Sequence, residues 1–349
     1  MTATPKDWRE RPDLGAAAVR AVLALAGMTI GALLVFRLAD VLLLLFGAIL
    51  VAILFHAVAE PLRERGLPRV ASLVLAVLAV AGFFAFIFWL FGYEAQAQLE
   101  TLSELLPRAW AGLQARLSAS PVGRYLLEGL RATPHPGGRF LVNWAPRFAS
   151  TAAGAVASTI IVFFAGLYLA FHPETYLGGA LMLAPRRLRP RLMQVAEACG
   201  EALRRWLLGQ VFSMLLIGVT VSLGLWLAGV PSPLALGALA GLAQFVPVVG
   251  PMAAAVPGLL IGLSEGMETF AWAGLVYFLS SQLEANLFSP FLLRSLAELP
   301  MAVTLFAVFA MGVLFGSLGV LFATPLALIA YVLIRMLYVE DVLGETLPP

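Results

Sequence analysis

Hydrophobic residues in this chain come in long continuous runs, broken by short polar clusters rich in arginine, proline and glycine. Crossing about 30 Å of hydrocarbon takes about 20 predominantly apolar residues in a helix. Runs of that kind fall at 17–36, 40–59, 69–92, 149–171, 206–229, 233–263, 270–292 and 301–337. The runs are rich in Leu, Ala and Val and lack the two-residue alternation of a membrane barrel. The pattern therefore predicts an all-α integral membrane protein, a polytopic bundle of about eight helical spans. Two runs, 233–263 and 301–337, are too long for one span each, so broken or re-entrant helices are expected in the C-terminal half. Whether these two cross fully or fold back as hairpins stays open.

Two stretches are expected outside the bilayer. In the 93–148 loop, Leu99, Leu102, Leu106, Trp110, Leu113 and Leu117 recur at helical spacing. The stripe is interrupted at Pro107, and Ser120-Pro121 reads as the start of a second helix. This predicts an extracytoplasmic amphipathic helical loop, either packed on the membrane surface or lying as a lid over a pathway. Residues 173–205 are expected as a cytoplasmic helical loop with a basic run from Pro185 to Arg191. Counting basic residues over eight spans places 14 on the side of the termini and 8 opposite, six of the latter in the long loop. The positive-inside rule then sets both termini in the cytoplasm, and the first span is expected to be uncleaved.

Composition narrows the class. The chain of 349 residues is 61% hydrophobic and only 12% charged, against about 25% charged in an ordinary soluble domain. Too little polar surface remains to face water all round, so a single membrane domain, 1–349, is expected with the lipid bilayer as its first partner. The basic residues, all arginine except Lys6, sit in short clusters that suit lipid headgroups rather than nucleic acid. Cys199 is the one cysteine, and His56, His135 and His172 are far apart, so no metal site and no cofactor are expected. No nucleotide-binding loop, nucleophile elbow or zinc-protease motif is present, and the reading is not an enzyme.

The candidate chemistry lies at interruptions. Within 233–263, Pro247 and Pro251 lack N–H groups, so the carbonyls of Ala243 and Pro247 lose their helical donors, and Gly250 tolerates unusual backbone. Broken backbone deep in a membrane is tolerated only against protein or a wet cavity, and transporters build midplane sites from it. A kinked packing helix is the plainer alternative. Gln244, one turn before the break, is the polar group best placed to share it. In 301–337, Gly312, Gly316, Gly319 and Pro325 read as helix-packing or hinge positions, with Gly312 and Gly316 four apart as in close helix contacts. Between them, Gln282, Asn286 and Ser289 share one helix face while Glu284 points elsewhere. An ionisable side chain inside a span is costly and is a functional candidate by default; Glu284 either handles a proton or cation or reaches the interface to pair with Arg294. Gln210 is a further candidate, with a helix–helix hydrogen bond as its simpler role.

Several strings, in order, carry a family resemblance: RRWLLGQ at 204–210, FVPVVGP at 245–251, QLEANLFSP at 282–290, LPMAVTLFAVFAMGVLFGSLGVLFATPLA at 299–327 and VEDVLGE at 339–345. Together they resemble the autoinducer-2 exporter family, which includes the PerM-type permeases. The resemblance is strongest from about 150 to 345. It implies a multi-pass protein of the bacterial inner membrane, homo-oligomeric with a pentamer as the expected count. It also implies export of autoinducer-2, a small polar quorum-sensing signal, or exchange of sodium or lithium for protons. Carried over by position, it falls on Gly209, Gln210, Pro247, Gly250, Pro251, Gln282, Glu284, Asn286, Pro290, Pro300, Gly316, Gly319 and Pro325. Relatives often have Ile-Pro-Tyr-Ile-Gly-Pro where this chain has Val246 to Pro251 without the tyrosine, so its wall there is more apolar.

Three readings follow. One is a secondary exporter of a small polar solute, with or without proton coupling, through Gln210, Gln244, Pro247, Gly250, Pro251, Gln282, Glu284 and Asn286. The second is a sodium or lithium/proton antiporter, and the third a membrane scaffold that transports nothing.

Overall fold

The computed structural model describes residues 37–86, 144–247, 249–288 and 300–345, with isolated positions between 22 and 124 outside those ranges. The predicted first span and nearly all of the 93–148 loop lie outside the described residues, as does Arg294. Among the described residues there is no strand. Helices α1 (Ala39–Glu64), α2 (Arg69–Phe86), α3 (Trp144–Phe171), α4 (Pro173–Met182) and α5 (Arg189–Leu227) come first. Then follow α6 (Pro233–Ala243), α7 (Val249–Glu265), α8 (Met267–Leu283) and α9 (Met301–Leu333). Two π-helical stretches, Glu284–Phe288 and Ile334–Glu340, extend α8 and α9.

Local chemistry sets the boundaries. Proline opens α4, α5 and α6 within the first turn, where its missing N–H costs nothing. At the end of α5, Gly229 adopts φ 68°, the Val230 N–H reaches the Leu225 carbonyl and the Gly229 N–H the Trp226 carbonyl. That is a Schellman stop, and it turns the chain straight into α6.

The cytoplasmic helix and the following span, expected as separate pieces, form one helix. α5 runs unbroken for 39 residues. It is the post around which the C-terminal half is built. α6 returns antiparallel along it, so close that side chains at Gly237 or Gly241 would overlap Ser222, Gly218 and Met214 of α5. α7 and α8 then form a second antiparallel pair about Gly266, and Gly224 of α5 meets Val276 of α8. Ile217, Val221, Leu225, Leu236, Ala240, Ala254, Ile261 and Ala273 form the shared core. In the N-terminal half, Phe55, Ala59, Leu73, Ala76 and Ala170 tie α1, α2 and α3.

Both oversized segments are interrupted and fold back on themselves. α6 stops at Ala243, the chain turns beyond it, and Gly250 packs directly on the Ala243 carbonyl. α9 is long and apolar enough to be counted as a single span, but Gly316 inside it has φ 63° and ψ −144°. Beyond it the chain reverses: Gly319 lies against the Met311 carbonyl and Gly312 faces Val320. In a straight helix, residues 311 and 319 would stand about 12 Å apart. Of the two roles expected for these glycines, helix packing or hinge, Gly316 takes the hinge. Gly316 is the reversal itself, and Gly312 and Gly319 let the two arms approach. The hairpin wedges Phe322 and Leu328 against Leu43, Phe46, Leu50 and Leu203 of α1 and α5.

Relative to α5 the two hairpins insert from opposite ends. The first descends from the α5 C-terminus to a tip beside Gln210, while the second has its base near the α5 N-terminus. There Arg191 holds the Met336 carbonyl at 3.0 Å, Glu340 at 3.0 Å and Asp341 at 2.9 Å. The outward faces stay apolar: Phe306 and Phe309 are 76% and 73% exposed, as a lipid-facing surface requires.

Candidate functional site

Three elements meet around the first hairpin tip. α5 contributes Gln210 and Ser213, one turn apart; the turn after α6 contributes Gln244; the end of α8 contributes Ser280 and Glu284. All except Glu284 are buried in a shell that is otherwise Leu, Ala and Val. The Gln210 Nε2 donates to the Gln244 backbone carbonyl at 2.5 Å. The Ser213 hydroxyl donates to Glu284 Oε1 at 3.2 Å. Both bonds join parts of the chain far apart in sequence, and both need the antiparallel packing of α6 and α8 on α5.

The break itself is sealed locally, which corrects the expectation that Pro247 and Pro251 leave two carbonyls without donors. The Val246 N–H takes the Ala243 carbonyl at 3.0 Å and the Val249 N–H takes the Pro247 carbonyl at 2.8 Å. Trp206, four residues before Gln210, packs edge-on against Phe245 with ring centroids 5.7 Å apart. The group left without a partner is a side chain. Gln244, only 5% exposed, has an Oε1 that no described group donates to. A buried acceptor of this kind costs about 1–3 kcal/mol when unfilled.

Glu284 is half-buried, and no basic group among the described residues pairs with it. Its one described side-chain donor is the Ser213 hydroxyl. Glu284 also opens a π-helical stretch, a rare geometry that concentrates at functional positions.

Of the predicted pathway residues, the structure brings together Gln210, Gln244, Gly250 and Glu284, with the half-buried Pro247 and Pro251 shaping the turn. Gln282 and Asn286 share a face as predicted, but both are exposed, and the Asn286 side chain donates to the Gln282 carbonyl at 2.9 Å. They stand outside the cluster. Ser213 and Ser280 were missed; the available signal was the spacing, three residues from Gln210 and four from Glu284 on the same faces. Thr324 and Pro325 are buried in the second hairpin, away from these groups. Among the described residues no cluster of His, Cys, Asp or Glu is arranged to hold a metal ion.

A large cavity lies elsewhere among the described residues. It is an apolar groove of about 1140 Å³ between the two halves, lined by Gly47, Val51, Phe83, Phe163, Val219 and Trp226 among others. The hairpin borders it through Leu242 and Phe245, while Gln210, Gln244 and Glu284 do not line it. A groove with that lining suits hydrocarbon, not a polar solute.

A lipid-facing helical bundle, two hairpins inserted from opposite ends and a polar cluster held at one tip define a multi-pass membrane transporter or permease. The sequence pattern of the AI-2E family transporter matches residues 21–338, and the chain belongs to that family. It is similar to YrrI of Bacillus subtilis, at 28% identity over 297 residues covering 80% of this chain and 81% of that protein. A second Bacillus subtilis protein, YueF, is 26% identical over 80% of this chain and 81% of its own length. MT0215 of Mycobacterium tuberculosis is 26% identical over 79% and 78% respectively. Each of these relatives is named only as a transport protein.

Proposed function

We propose that this protein is a secondary transporter of the bacterial inner membrane that exports a small polar solute of the autoinducer-2 type. Both termini are cytoplasmic, and passage is coupled to protonation of Glu284. The observation that carries the reading is the cluster of buried Gln210, Ser213 and Gln244 with half-buried Glu284 at the hairpin tip. A solute rich in hydroxyls would supply the donor that the Gln244 Oε1 lacks and compete with Ser213 for the carboxylate. Hairpins that enter from opposite ends give such a site one gate on each face. The family supports transport as the class, and the assembly that fits it is a homo-oligomer.

A second reading, sodium or lithium/proton antiport, is favoured by the donor set. A carboxylate, a hydroxyl and an unfilled amide oxygen are all hard oxygen ligands, the type that alkali cations take.

Purified protein in vesicles tests both. Release of preloaded autoinducer-2, with a pH-sensitive dye inside, is expected in the wild type. In Glu284→Gln it should fall about 10- to 100-fold, the ratio that losing a charged hydrogen bond of ~1.5–3 kcal/mol gives, with unfolding temperature unchanged. A pH signal on adding NaCl or LiCl without any solute selects the antiporter. A folded wild type that moves neither leaves a scaffold and overturns the proposal.

A further inference from the structure

The basic run Pro185 to Arg191 is not uniform once folded. Arg189 is turned inward, its guanidinium donating to the carbonyls of Ala184 at 3.1 Å and Met182 at 3.2 Å, which closes the turn between α4 and α5. Arg191 is held by Glu340 and Asp341. Arg186 and Arg187 are exposed, and no described group pairs with either. The one acid of α4, Glu174, is engaged by Arg69 at 3.3 Å and is not available to them.

The two free arginines sit on an unusual piece of surface. At His172 the chain bends by 88° between the end of α3 and α4. If α3 crosses the bilayer, a helix at that angle lies along the membrane plane. α4 buries none of its residues against the rest of the protein. Just past it, Leu183 is 91% exposed and Met182 71%, with Leu188 also exposed. Apolar side chains that protrude beside unpaired guanidinium groups, in the turn that ends a helix parallel to the bilayer, match the make-up of an interfacial anchor. Arginine's planar fork fits a phosphate in bidentate fashion, and two uncompensated positive charges favour a headgroup with net negative charge over a zwitterionic one.

We propose that α4 and the Met182–Leu188 turn form a foot that seats an anionic phospholipid, its phosphate on Arg186 and Arg187 and its acyl chains against Met182 and Leu183. This site lies on the opposite side of α5's first turns from the transport cluster and does not depend on what the protein transports. The basic run is thereby divided in two. Arg189 and Arg191 fold the turn, whereas Arg186 and Arg187 read the membrane.

The test uses the purified full chain in detergent and short-chain dioctanoyl lipids, with binding followed by the shift in thermal unfolding. Phosphatidylglycerol is expected to raise the midpoint at lower concentration than phosphatidylcholine. Because no described group pairs with Arg186 or Arg187, R186Q/R187Q should unfold at the wild-type temperature without lipid. It should need about 30-fold more phosphatidylglycerol for the same shift, the ratio that two charges at about 1 kcal/mol each give. Leu183→Ser should weaken binding of both lipids. Equal binding of the two lipids by wild type, unchanged phosphatidylglycerol binding in the double variant, or displacement by millimolar inorganic phosphate would each overturn the proposal. The last outcome would mark a free-anion site instead.

Discussion

The two hairpins use the same backbone device to different ends. Both are apolar, both reverse where glycine interrupts a helix, and both press one arm on α5. The first ends in a turn that carries the polar side chain of Gln244, held through its backbone carbonyl by Gln210 and through Phe245 by Trp206. The second ends at the exposed Gly316 and Ser317, and its buried Thr324 and Pro325 lie in the returning arm. One hairpin presents chemistry, and the other is a wedge of matching shape. The difference is burial: the first turn buries the Gln244 side chain beside Gln210, whereas Ser317 at the second turn is exposed.

Substitutions at the glycines break or sharpen that contrast. Gly250→Ala drives a methyl into the Ala243 carbonyl, which as backbone cannot give way, so a loss near the upper end of the ~1–3 kcal/mol overpacking range is expected. Gly319→Ala meets the Met311 carbonyl in the same way and should cost a similar amount. Thermal unfolding would show the two as equals, whereas vesicle transport per folded molecule should fall only for Gly250→Ala. Equal loss of transport in both would erase the distinction between the hairpins. Gly316→Ala is different in kind. There is open space around it, but φ 63° with ψ −144° is a region reserved for glycine, so backbone strain of about 2 kcal/mol is expected. Stability should drop with transport retained. The smallest effect is Trp206→Leu, which removes the edge-on contact with Phe245 and should cost about 1 kcal/mol. Its signature is increased hydrogen exchange confined to residues 244–250.

What the sequence disclosed follows from which forces are local. The runs and the break at 247–251 depend on neighbouring residues and were legible. So was the shared face of Gln282 and Asn286. The count of spans was not, because a 33-residue apolar helix and a hairpin of two arms have the same composition; the torsion of one residue, Gly316, decides between them. A helix–helix hydrogen bond was legible for Gln210 but its partner was not, since it lies 34 positions away and is reached because Gly218, Gly237 and Gly241 let two helices nearly touch. Ser213 reads in isolation as an ordinary small residue of a span. It matters because α8 delivers a carboxylate to it.

The unbroken length of α5 has a mechanical consequence. At 39 residues it is about 58 Å long, and a bilayer core of about 30 Å leaves nearly half of it projecting beyond the hydrocarbon. A rod that is stiff over that distance is a lever with its fulcrum in the membrane. A tilt of about 10° that shifts the Gln210 level by an ångström or two swings the Arg191 end by about 5 Å. Because Arg191 grips the C-terminal segment at Glu340 and Asp341, that swing is handed on to the second hairpin.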